Sequence, residues 1–396
     1  MRYLSKVLSV IFLLCSGCDV AVQGLGSQDS EDSANESSLL SRVGQQRDFL
    51  LVDRFQRMVM DAKGQALALR GMQVPLGFRT TQKSSQDPEV VKKISEYGFN
   101  MVRITWSSVA NEDYDIRFEE LQKFLEQASK QGLIVMLEAH NVTGKNVGLE
   151  QVVQYWVSLY PRLKPYQHFL MLNIANEWGG NDLGKYQFRS QYREAVRKLR
   201  AAGYRIPLVI DAAGWGQDMT YLTDEDFWRQ LLDADQAIMG FANLMFSVHL
   251  YGKWGLYRGD QGAPFGLRDD FVGFAYKAPL FLGEFGWAKP GNPDQSKIAL
   301  PDLIQTITDN RLHVNIYSWS GNNPHYRVPE TGAVIDYRYL DFVPSDYVYG
   351  QSLNGLSAIT EYRFRNHELN EYGAQFIKQG RLVVADRKAD FLPQGR

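Results

Sequence analysis

The chain has 396 residues, a formal net charge of −2 and 44% hydrophobic residues. That apolar content is ordinary for a protein with a full core, and the near-neutral charge lacks the electrostatic footprint of a nucleic-acid or polyanion binder. Both cysteines, Cys15 and Cys18, lie near the N-terminus, so the body of the chain has no disulfide, no thiolate chemistry and no cysteine-bound metal.

In chain order, residues 1–18 read as an export signal. Arg2 and Lys6 supply the positive start, and Val7 to Leu14 is an apolar run too short to anchor in a bilayer. Ser16 and Gly17 before Cys18 resemble a bacterial lipobox, with Cys15 where Leu is usual. The resemblance implies cleavage before Cys18, lipid on its sulfur and a place on a cell-envelope membrane, facing the periplasm or the cell surface. The alternative is a plain secretory signal and a secreted protein. Residues 19–48 are poor in large apolar side chains and rich in Ser, Asp, Glu, Gln and Gly, a composition that predicts a flexible tether.

From Phe49 a regular alternation begins. Apolar runs at Leu67–Met72, Met101–Ile104, Leu133–Glu138, Leu170–Ala175, Pro207–Asp211, Phe246–His249, Leu280–Glu284 and Val314–Trp319 predict eight strands. Amphipathic helical segments lie between them. Phe118, Leu121, Leu125 and Ala128 share one face, and Tyr186 to Ala202 forms another helix. Gly98, Gly132 and Gly203 sit where a helix ends before a strand, the position that favours a left-handed residue. Strands spaced by roughly 35 residues and separated by helices predict an α/β fold, a single (β/α)8 TIM barrel over residues 49–380. A last helix is expected at Glu368–Lys378, and residues 381–396 read as a tail.

The chemistry falls where the runs stop. Leu170 to Ala175 is followed by Asn176, Glu177 and Trp178, and Leu280 to Gly283 by Glu284 and, three residues later, Trp287. Other strand tips carry Arg103 and Trp106; Glu138, His140 and Asn141; Asp211 and Trp215; His249, Tyr251 and Trp254; and Trp319. In a parallel barrel these tips share one mouth. Glu177 and Glu284 are the candidate catalytic pair, because retaining glycoside hydrolysis needs two carboxyls about 5 Å apart, one protonated and one ionised. Arg103 could lower the pKa of the attacking carboxylate, Tyr251 could hold it in line, and Asn176 could meet a sugar 2-hydroxyl. Trp319 would floor the reacting ring. Trp106, Trp178, Trp215, Trp254 and Trp287 are candidate sugar platforms, since an aromatic face packs on the C–H face of a pyranose. His140 and His249 are expected to line the same ring. No metal and no cofactor are expected, since the first strand lacks the His-x-His of metal-dependent barrel hydrolases.

The set Arg103, His140, Asn176-Glu177, His249-x-Tyr251, Glu284 and Trp319 resembles glycoside hydrolase family 5. The segments Leu137–Gly144, Asn173–Trp178, Asp211–Gln217, Phe246–Tyr251 and Gly283–Gly286 are similar to those of its bacterial endo-β-1,4-mannanases. The likeness runs from about Asp61 to Ile377. It implies that Glu177 is the acid/base and Glu284 the nucleophile. The implied substrate is mannan, glucomannan or galactomannan, cut by a monomer without nucleic-acid partners. Asn141, Gly179-Gly180 and Ser320 depart from the usual mannanase residues along the groove rim, which bears on substrate preference. The alternatives are an endo-β-1,4-glucanase of the same family and a catalytically silent glycan-binding lipoprotein.

Overall fold

The computed structural model describes residues 48–76, 88–108, 117–285 and 296–317, together with the backbone of four short strands further on. Eight parallel strands close into a barrel: β1 (Arg70–Val74), β2 (Met101–Trp106), β3 (Ile134–Ala139), β4 (Leu170–Asn173), β5 (Leu208–Asp211), β6 (Leu244–Leu250), β7 (Leu280–Phe285) and β8 (His313–Ile316). Each pairs with its neighbours in sequence, and β8 closes on β1 with Val314 opposite Arg70. The outer ring includes α1 (Glu89–Glu96), α2 (Phe118–Lys130), α3 (Leu149–Leu163), α4 (Lys185–Ala201), α5 (Phe227–Met239) and α6 (Leu300–Asp309). Gly98, Gly132 and Gly203 all take positive φ at the ends of α1, α2 and α4, as expected.

Two apolar layers hold the fold. The outer one lies between the strands and the helices and includes Ile104, Leu137, Leu172, Phe246 and Leu282 from the strands. The inner one fills the barrel with Met101, Ile134, Met136, Met171, Val209, Met245 and Phe281. Methionine suits that lumen, because an unbranched side chain fills irregular gaps.

The first expected strand, Leu67–Met72, is corrected by the structure. Leu51–Asp53, Met58–Met60 and Ala66–Leu67 instead form a small antiparallel sheet, and the barrel begins at Arg70. Leu50, Val52, Val59, Leu67 and Leu69 join the inner layer, so this segment plugs the barrel floor. Its burial requires its backbone to be satisfied. Asn243, just before β6, accepts from the Val52 N–H at 2.8 Å and donates to the Leu50 carbonyl at 2.9 Å. His313, at the foot of β8, accepts from the Leu69 N–H through Nδ1 and meets the Arg57 carbonyl through Nε2, both at 2.9 Å.

Tyr326–Arg327 pairs antiparallel with Val334–Ile335, and Ser345–Gln351 with Ser357–Phe364. The expected signal, most of the tether, the helix at Glu368–Lys378 and the tail lie outside the described residues, as do Trp287 and Trp319. Among the described residues no helix is long and apolar enough to cross a membrane.

Burial pushes His313 down to about 4 from its ordinary 6.5. The unfolded chain therefore takes up this proton first. Stability is whole above about pH 6.5 and is lost as pH falls towards 4, by on the order of 3 kcal/mol for this one group. Calorimetric melts of wild type should show the decline over that window, whereas His313→Gln starts less stable and falls less steeply. Equal slopes would count against this role.

Candidate active site

Glu177 sits just past β4, where the chain turns sharply. Its φ is 45°, a left-handed conformation that costs a non-glycine residue about 1–2 kcal/mol. Two hydrogen bonds hold it there. The Glu177 N–H donates to Asp211 Oδ2 at 3.0 Å, and its carbonyl accepts from the Gly144 N–H at 3.0 Å. Its side chain is only slightly exposed and meets His249 Nδ1 at 2.7 Å through Oε1.

Glu284 reaches the same space from β7. The register of β7 against β6 shifts between Leu282 and Glu284, and such an irregularity re-aims the residue that follows. Gly283 makes it feasible: a β-carbon there would lie 2.8 Å from His249 Nε2. Glu284 Oε1 accepts from Arg103 Nη1 at 2.7 Å, and Oε2 accepts from the Tyr251 hydroxyl at 2.8 Å. Carboxyl oxygens of Glu177 and Glu284 and a ring nitrogen of His249 all lie within 4.8 Å of one another.

Beneath the pair lies a buried polar network. Arg103 donates to Glu284, to Gln73 Oε1 at 3.0 Å and to Asn176 Oδ1 at 2.6 Å, and its Nη2 is paired with Glu138. Glu138 also accepts from Gln73 Nε2 at 2.7 Å and meets His140 Nδ1 at 3.0 Å. Asn315 donates to Gln73 Oε1 and to the Gly283 carbonyl, both at 3.0 Å. Asn176 donates to Thr143 Oγ1 at 2.8 Å.

The environments separate the charges. Burial raises the Glu177 carboxyl, and the neighbouring Glu284 adds to that against the opposing pull of His249. Burial alone would lower His249, but Glu284, Asp211 and Glu177 outweigh it and push it up to about 9. Glu138 shows the reverse balance: burial would raise it, yet Arg103 and His140 hold it at about 2. Arg103, flanked by Glu138, Glu284 and Asp211, is held above its ordinary range despite burial. The two triads Glu138–His140–Glu284 and Glu177–His249–Glu284 have donor atoms close enough for a cation. The Arg103 charge already occupies the partner's role for Glu138 and Glu284.

Arg103, His140, Asn176, Glu177, His249, Tyr251 and Glu284 thus come together at one mouth. Three expected sugar platforms do not, and these are corrections. Trp106 is buried, with its indole N–H donating to the Tyr155 hydroxyl at 2.8 Å. Trp178 is buried against Phe188 and Tyr192 and donates to the Val147 carbonyl at 2.7 Å. Trp254 is buried, stacks on Phe265 and donates to the Gln217 carbonyl at 3.0 Å. Trp178 and Trp254 anchor loops and Trp106 ties β2 to α3, because a buried indole needs an acceptor for its N–H. Trp215 differs. It is 41% exposed and lies on the backbone of Gly144, where any β-carbon would strike the ring.

Gln73, Asn173 and Asn315 are residues that the sequence reading does not place at the site, and Glu138 and Asp211 are strand tips to which it gives no catalytic or binding role. Their signal was a polar side chain within or ending an apolar run.

The family model described as cellulase (glycosyl hydrolase family 5) matches residues 60–323. A mannan endo-1,4-beta-mannosidase of Salipaludibacillus agaradhaerens is 28% identical over 269 residues, covering 67% of this chain and 80% of that protein. A beta-mannanase/endoglucanase A of Caldicellulosiruptor saccharolyticus is 28% identical over 244 residues, covering 59% of this chain but only 17% of that longer protein. The solved beta-mannanase from Thermomonospora fusca superposes with a TM-score of 0.65 at 23% identity, over 86% of this chain and 98% of that one, and so shares the fold.

Removing one partner of a buried ion pair costs about 3–5 kcal/mol, and Glu138→Gln should lower stability in urea melts at neutral pH by that order. The acid dependence follows from the depressed pKa. The Glu138 contribution is present above about 4.5 and lost as pH falls through about 2, so the variant should lose less over that interval than wild type does.

Proposed function

Because the chain belongs to glycosyl hydrolase family 5, we propose that it is a retaining endo-β-1,4-mannanase in which Glu177 is the acid/base and Glu284 the nucleophile. One observation carries the assignment of mechanism: the two carboxyls approach within 4.8 Å. Inverting enzymes keep them roughly 6.5–9.5 Å apart to admit a water, whereas retaining enzymes hold them at about 5 Å.

In the first step a Glu284 oxygen bonds to the anomeric carbon as the glycosidic C–O bond breaks. The departing oxygen keeps the electron pair and takes the proton of Glu177. His249 occupies Oε1 of Glu177, which leaves Oε2 to carry that proton. In the second step Glu177, now a carboxylate, takes a proton from water. The water oxygen attacks the anomeric carbon and Glu284 departs, so two inversions give retention. Arg103 and Tyr251 hold Glu284 as an acceptor throughout. Trp215 lies on Gly144, whose N–H binds the Glu177 carbonyl, and this placement supports a platform on the acid/base side, under the leaving sugar.

The names of the relatives support mannan as substrate. A second reading, β-1,4-glucan, is favoured by the family model's cellulase description and by the relative named for both activities. Reducing-end assays on mannan and on carboxymethylcellulose separate the two.

Glu177→Gln should lower kcat on mannan by about 10²–10⁴-fold while binding persists, the range expected for losing general acid catalysis. Near wild-type turnover would sink the assignment. The alkaline limb of kcat/KM reports loss of the raised Glu177 proton, so activity falls as pH rises through that value. Trp215→Ala should raise KM for mannan roughly threefold to tenfold with little change in kcat, if one stacking contact is lost. The reading includes export with lipid on Cys18. A Cys18→Ser variant should then leave the membrane fraction and fail to take up labelled palmitate.

A further inference from the structure

We propose that Asp211 is the positioning residue of the acid/base, its one carboxylate fixing both the backbone of Glu177 and the imidazole that touches the Glu177 side chain. The proposal rests on the reading of Glu177 given above and extends it to a residue with no role there.

Asp211 ends β5 and is fully buried. Its own orientation is set by Asn173 at the end of β4, whose Nδ2 donates to Oδ1 at 2.6 Å. The other oxygen, Oδ2, accepts the N–H of Glu177 at 3.0 Å. Glu177 needs that restraint, because its left-handed backbone is a conformation that persists only when the surroundings over-determine it. A relaxed backbone at this residue would swing the carboxyl away from the scissile oxygen.

The same Oδ2 faces His249 Nε2 at 3.6 Å, and the opposite ring nitrogen, Nδ1, meets Glu177 Oε1 at 2.7 Å. His249 Nε2 makes no hydrogen bond among the described residues, so Asp211 is the anion it confronts. Backbone also packs close against the imidazole. A β-carbon at Gly216 would lie 2.7 Å from His249 Cγ, and one at Gly283 would lie 2.8 Å from Nε2. The charged groups around this ring are Glu177 past β4, Asp211 on β5 and Glu284 on β7, whose Oε2 is 3.8 Å from Nδ1. Arg103 on β2 stands 3.9 Å from Asp211. Asp211 is the one anion among them that touches Glu177 through the backbone and faces the ring nitrogen opposite the one that meets Glu177. Together with Glu284 it favours the charged ring, and the ring, held on Oε1, leaves Oε2 of Glu177 for the proton.

A residue that acts through the acid/base has a kinetic signature that general loosening of the fold lacks. Its loss slows departure of a poor leaving group, which needs a proton, and spares a good one, which does not. Asp211→Asn keeps the shape and removes the charge. On mannan its kcat/KM should fall by about tenfold to a hundredfold, below the full effect of losing general acid catalysis. On 2,4-dinitrophenyl β-mannobioside the same constant should stay within about threefold of wild type, because that leaving group departs without a proton. Turnover of the aryl substrate should rise when azide is added, since azide attacks the glycosyl-enzyme without a general base.

Glu177→Ala, run in the same assays, separates the two readings. If it shows no leaving-group dependence, the assignment of Glu177 itself fails. If Glu177→Ala shows the dependence and Asp211→Asn lowers both substrates equally, or neither, the role of Asp211 is overturned. Asn173→Ala, which frees Asp211 without altering charge, should reproduce the pattern at smaller amplitude. It carries the test should Asp211→Asn fail to fold.

Discussion

A single buried guanidinium makes the mouth of this barrel possible. Arg103 has no exposed surface, yet it bonds to side chains from β1, β3 and β7 and to the turn after β4. Without it, Glu138 and Glu284 would be two anions facing each other in a medium too apolar to solvate either. A buried charge is tolerated only when it is paired and its remaining hydrogen-bond capacity is met. Gln73 supplies part of this from beneath, receiving from Arg103 and Asn315 and giving to Glu138, while Arg103 Nε has no hydrogen-bond partner among the described residues. The network therefore spans much of the barrel's circumference, and loss of one member leaves others unsatisfied.

This arrangement gives two identical side chains different environments. Glu284 receives two donors, one of them a cation. Glu177 receives a histidine and is otherwise surrounded by apolar burial and the nearby Glu284, which together favour its protonated form. The division depends on where the backbone delivers each carboxyl. On β7 a glycine-permitted register shift does this, and past β4 a left-handed residue does. Both are local departures from regular structure at the mouth of the barrel.

Much of this was legible in the sequence, for definite reasons. A parallel barrel strand is buried on both faces and reads as an apolar run, and the polar residue ending the run marks the tip. Glu177, Glu284, His249 and Tyr251 stand out on that basis. The first strand was misplaced because Leu67 and Leu69 are as apolar as a barrel stave, and periodicity cannot tell a plug from a stave. The tryptophans misled for a related reason. A platform and a loop anchor occupy the same position after a strand, and the difference lies in whether the indole N–H finds an acceptor in the loops, as Trp178 and Trp254 do. Gln73 and Asn315 were visible as polar residues inside apolar runs, but only the closed barrel brings them together.

The plugged floor also fixes which way the molecule looks. Residues Leu50 to Leu69 are locked against the feet of β6 and β8, while Glu177 and Glu284 open at the opposite end of the same cylinder. The polypeptide enters the folded body from underneath. Anything that bound this floor would therefore leave the cleft uncovered.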